Sequence, residues 1–108
     1  MFDGKNFSYW KARMIAYIQA IGDDVWSSVE SGWTAPVATT GTGTAAVTSI
    51  KPFKDWSDDE KQLSALNRKA INSIFMAVNE TEFNQISSCT SAKEAWTKLV
   101  NTHEGVKS

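Results

Sequence analysis

Apolar residues recur at intervals of three and four from Phe7, Trp10 and Met14 to Tyr17, Ile18 and Ile21. They do so again from Leu63, Leu66 and Ala70 to Ile71, Ile74, Ala77 and Val78. At about 100° per residue each set falls on one side of a helix, a pattern that a strand alternating every second residue cannot use. The chain must therefore bury helix faces against one another. Its 108 residues suffice for one domain, 1–108, with an expected radius of gyration of roughly 13 Å.

The helix ends are marked by residues that satisfy orphan backbone groups. Asn6 or Ser8 is expected to cap the first helix by accepting a backbone N–H, and Gly22 to end it in a left-handed conformation. Asp23 and Asp24 suit the positive end of a short second helix, which carries Val25, Trp26 and Val29 and stops at Gly32. Ser57-Asp58-Asp59-Glu60 reads as a capping box that opens a third, central helix running to about Asn79, with Phe75 at the edge of its apolar face. Thr81 is the expected cap of a short helix with Phe83 and Ile86. A second capping box, Ser91 to Glu94, opens a last helix with Ala92, Ala95, Trp96, Leu99 and His103 on one face, ending at Gly105. Asn67 lies inside the apolar arc of the central helix. An unpaired amide there would cost about 1–3 kcal/mol, so it is predicted to bond backbone at a neighbouring helix end.

From Ser31 to Ile50 the chain carries no charge and is rich in Thr, Ala and Gly. The large apolar anchors of a buried sheet face are missing, so the region of about 31–56 is expected to be a loop, tied back at its end by Phe53 and Trp56. The expected fold class is all-α. It is a small orthogonal or bundle-like domain of about five helices, with this long Thr/Gly/Ala-rich loop between the second and third. The predicted core is Trp10, Met14, Trp26, Leu66, Ala70, Ile74, Trp96 and Leu99.

Composition narrows the function. Eleven basic against twelve acidic residues leave a net charge of −1, too little for a phosphate backbone to be gripped by this chain alone. The single cysteine, Cys89, excludes an internal disulfide, and Cys89 with the single histidine, His103, cannot complete a four-ligand zinc site. The two are also expected on the order of 18 Å apart along the last helix, which excludes a catalytic dyad. Asp23-Asp24 and Asp58-Asp59-Glu60 sit where helix dipoles explain them without acid–base chemistry. No phosphate-binding glycine loop, nucleophile elbow or metalloprotease motif occurs. The expectation is a non-enzymatic protein without cofactor, metal, small-molecule substrate or membrane span, located in the cytoplasm. Its candidate partner surface is Trp33, Phe53 and Trp56 beside the loop, with the outward side of the first helix, Tyr9, Arg13 and Ala16, as an equal alternative.

Three blocks carry a resemblance. They are Phe2-Asp3-Gly4-Lys5-Asn6-Phe7-Ser8-Tyr9-Trp10-Lys11 with Met14 and Asp24-Val25-Trp26; Asn67-Arg68-Lys69-Ala70 with Ile74; and Ala92-Lys93-Glu94-Ala95-Trp96 with Leu99 and Thr102-His103-Glu104-Gly105. In this order and spacing they resemble the N-terminal capsid region of the Gag polyprotein of copia-type LTR retrotransposons, especially plant ones. The resemblance implies a capsid module that self-associates into cytoplasmic virus-like particles packaging the element's RNA. The family's later capsid helices, and the Cys-Cys-His-Cys zinc knuckle that would grip RNA, have no counterpart in this chain, so the chain is expected to be an excised N-terminal capsid lobe. The alternative is a captured Gag-like domain in a host protein, serving as a protein-binding or decoy module.

Overall fold

A computed structural model of the protein describes residues 1–104. Five α-helices form its body: α1 (Phe7–Ile21), α2 (Asp23–Ser31), α3 (Asp58–Met76), α4 (Glu80–Ile86) and α5 (Ala92–Glu104). Between α2 and α3 run two antiparallel strands, β1 (Val37–Thr40) and β2 (Val47–Ile50), with Val37 opposite Ile50 and Thr40 opposite Val47. The segment expected to be a loop is thus in part a hairpin, and the domain is mostly helical rather than all-α. The expectation failed because it required a buried face. All four residues of β2 are exposed. The ribbon instead rests on its ladder, on β-branched residues that favour extended backbone, and on cross-strand pairs such as the Thr39 and Thr48 hydroxyls at 3.2 Å. Gly41 makes the turn possible: its φ is +87°, and a Cβ there would lie 2.7 Å from the Ala45 carbonyl oxygen. The ribbon lengthens the molecule to 51 × 33 × 24 Å and raises the radius of gyration to 16.4 Å.

Several helix ends differ from expectation. Asn6 precedes α1 in the left-handed conformation (φ 55°) and makes no side-chain cap bond, while Ser8 lies inside the helix. Gly22 is extended (φ 169°) rather than left-handed, because it closes α1 and opens α2 with no loop between them. The box at Ser57 is complete: its hydroxyl accepts the Glu60 N–H at 3.1 Å and the Glu60 carboxylate accepts the Ser57 N–H at 2.8 Å. α3 stops at Met76, three residues early, because Asn79 is committed to the next helix. Its side chain, not that of Thr81, accepts the Glu82 N–H and caps α4. At α5 the Ser91 hydroxyl accepts the Glu94 N–H. The Gly105 end falls outside the described residues.

α3 is central and packs on both α2 and α5, with α1 against α2. The core unites Met14 and Ile18 of α1, Val25 and Val29 of α2, Ala70, Ile71 and Ile74 of α3, Ile86, and Ala92, Ala95 and Leu99 of α5. Each large aliphatic side chain so buried contributes about 1.5–3 kcal/mol. Of the predicted core, Met14, Ala70, Ile74 and Leu99 are buried, whereas Trp10, Trp26, Leu66 and Trp96 are half-buried against it. The three tryptophans form a row at its edge, Trp10 stacked on Trp96 with centroids 5.7 Å apart and Trp26 edge-on to Trp96 at 5.5 Å. Leu63, expected inward, is exposed, on the rim of a groove that the start of α3 forms with α2 and the segment leading into the hairpin.

Phe2, which the periodicity does not place in the core, is buried there. Its N–H donates to the Ala77 carbonyl at 2.8 Å and its carbonyl accepts the Asn79 N–H at 2.9 Å, which forms an isolated parallel bridge beside Val78. Its ring packs on Phe7, Trp10 and His103. A lone aromatic five residues before a helix has no periodicity to reveal it.

Candidate functional site

Along α1, Tyr9, Arg13 and Tyr17 are spaced by four and share one face, which borders the buried line of Phe7, Met14 and Ile18. Tyr9 and Tyr17 are 66% and 58% exposed. Tyr17 and Ile21 were expected on the inward arc; the arc that reaches the core is narrower and leaves both outside. Arg13 Nη1 donates to the Tyr9 hydroxyl at 3.2 Å, with the guanidinium carbon 5.4 Å from the Tyr9 ring centroid. The two side chains hold each other in place on the surface.

Met76, in the last turn of α3 and 72% exposed, faces this stripe across a groove of about 720 Å³. The Trp10 ring lies in the floor, anchored by its Nε1–H, which donates to the Ala77 carbonyl at 3.1 Å. Lys5 and Arg13 line the groove and, among the described residues, no carboxylate does. Sequence reading found Tyr9 and Arg13 but missed Tyr17, Met76 and Lys5. The four-residue spacing of the tyrosines was the available signal for Tyr17, while Met76 meets them only through tertiary packing.

Trp33, Phe53 and Trp56 come together at the base of the hairpin. Phe53 lies 4.9 Å and Trp33 6.5 Å from Trp56, centroid to centroid. Trp56 Nε1–H donates to the Lys51 carbonyl at 2.8 Å, and the Lys51 N–H to the Pro36 carbonyl at 2.9 Å, so these bonds close the hairpin. Phe53 is exposed with Lys61 over its ring, and both tryptophans are half-buried. The cluster fastens the base of the ribbon to the start of α3. Beside it a second groove of about 590 Å³ is lined by Trp33, Val37 and Leu63 together with Asp24 and Glu60 and, among the described residues, by no cation. Backbone bonding from Ser57, with help from the Lys51 ammonium 2.9 Å away, holds the Glu60 carboxyl below its usual range.

His103 Nε2 lies 2.6 Å from the buried Glu82 carboxylate, a partner that sequence reading did not foresee. Cys89 is buried, and burial pushes its thiol pKa up, away from a nucleophilic thiolate. Asp23, Asp24, Asp58 and Asp59 occupy the first turns of α2 and α3. Among the described residues no three His, Cys, Asp or Glu side chains gather as a metal site, and no helix is long and apolar enough to cross a membrane.

A family model described as gag-polypeptide of LTR copia-type matches residues 14–108, which includes the second and third sequence blocks and leaves residues 2–11 of the first outside. No curated protein and no solved structure matches the chain.

Proposed function

Because this chain belongs to the gag-polypeptide family of LTR copia-type elements, we propose that it is a capsid module acting through weak, repeated contacts with copies of itself in cytoplasmic virus-like particles. The observation that carries the reading is the exposed face of Tyr9, Arg13, Tyr17 and Met76 around a groove floored by Trp10. Exposed aromatic, Met and Arg side chains are those enriched where proteins meet. Shell assembly suits such contacts, since many weak ones acting together outlast any single one. RNA contact belongs to parts of the polyprotein other than this nearly neutral chain.

Amine cross-linking at high protein concentration tests the reading. A ladder of dimers, trimers and larger species is expected, and Tyr9→Ser with Tyr17→Ser should suppress it without lowering the melting temperature. A wild-type chain that yields only monomer, or a ladder untouched by the double variant, contradicts the proposal.

A further inference from the structure

The charge of the molecule is divided by region. Residues 1–22 hold three basic and one acidic side chain, whereas residues 23–61 hold seven acidic and three basic ones. Internal pairing leaves this division in place. Lys11 is used by Glu104, and Lys51 and Glu60 by each other. Among the described residues Lys5 and Arg13 have no ion-pair partner, nor have Asp24, Asp58 and Asp59. Lys5 and Arg13 line the groove between α1 and the end of α3; Asp24 lines the second groove, with Asp58 and Asp59 exposed on the helix end beside it, where, among the described residues, the acidic side chains outnumber the unpaired Lys54 and Lys61. Both grooves offer apolar side chains, Tyr9, Tyr17 and Met76 in one and Leu63 and Val37 in the other.

We infer that the basic groove receives the acidic groove end of a second copy of this chain, so that the self-association proposed above is head-to-tail. The inference rests on that reading and adds polarity to it. Groove against groove would bring Lys5 and Arg13 against their own copies, and acidic end against acidic end would repeat the fault; only the unlike pairing matches opposite charge while covering apolar surface on both sides. A contact between unlike patches leaves each copy with one free groove and one free end. It therefore propagates, and closes into a ring where the rotation permits.

The test uses two variants of the full chain. Lys5→Glu with Arg13→Glu disables the groove; Asp24→Asn, Asp58→Asn and Asp59→Asn disable the end while keeping side chains that tolerate a helix start. Each variant alone should sediment as a monomer, and an equal mixture should give a complex of twice the monomer mass that grows no further. Raising salt from about 50 to about 500 mM should weaken wild-type association at least about tenfold, since exposed charges are screened over that range. This second measurement stands even if a variant fails to fold. If either variant alone associates as the wild type does, if the mixture stays monomeric while the wild type associates, or if salt has no effect, the head-to-tail contact is wrong and self-association survives. A wild type that never associates removes both.

Discussion

Asn67 Oδ1 accepts the Ala92 N–H at 2.8 Å, so a side chain from the middle of α3 caps the first turn of α5. Its Nδ2 donates to the Thr90 carbonyl at 3.0 Å, and the amide is satisfied on both sides. Asn67→Leu leaves that N–H and carbonyl unpaired in a buried setting, at about 1–3 kcal/mol. The melting temperature should fall by on the order of 5–15 °C. An unchanged melting curve would mean that Asn67 does not tie the two helices.

Phe2 anchors the N-terminal segment, being 2% exposed and surrounded by Phe7, Trp10 and His103. Phe2→Ala should cost about 3–5 kcal/mol in urea denaturation, the range for emptying a buried aromatic site. Asp3→Ala, at an exposed neighbour, should cost under about 0.5 kcal/mol. Equal effects from both would place Phe2 outside the core.

The hairpin buries neither face and should be separable from the fold. Replacing residues 38–49 with a short Gly/Ser linker keeps Trp33, Phe53 and Trp56 and should leave the helical circular dichroism intact. The melting temperature should move by no more than about 5 °C, because loop-closure entropy changes slowly with length. Loss of cooperative melting would show that the ribbon supports α2 and α3.

Glu60 supplies a pH dependence with a definite sign. Its folded pKa lies below the unfolded one. The stabilisation is therefore present above the unfolded carboxylate range and is lost as pH falls through the lower folded value. Urea midpoints measured from neutral pH into the acid range should decline less steeply in Glu60→Gln than in the wild type. Parallel profiles would contradict the role of the capping box and of Lys51.

Most of the helical frame was legible because helix formation leaves local marks. The Ser57 box opens α3 where the residues say it should, and Asn67 declared by its polarity within an apolar arc that it bonds a helix end. What could not be read depended on tertiary context. Asn79 rather than Thr81 caps α4 because the chain turns at Ala77 to receive Phe2. The ribbon from Val37 to Ile50 carries no burial pattern because nothing covers it. Tyr17 looks like core by spacing, but it is exposed and lines the groove between α1 and the end of α3. The candidate surface was half legible for the same reason: Tyr9 and Arg13 lie on one helix, but Met76 joins them from another.

Sedimentation velocity of the wild-type chain over a concentration series reaching about 1 mM, the scale on which single weak contacts become populated, tests self-association most directly. The weight-average sedimentation coefficient should rise steadily with concentration and fall back on dilution. A single monomer-sized boundary at every concentration would contradict the account.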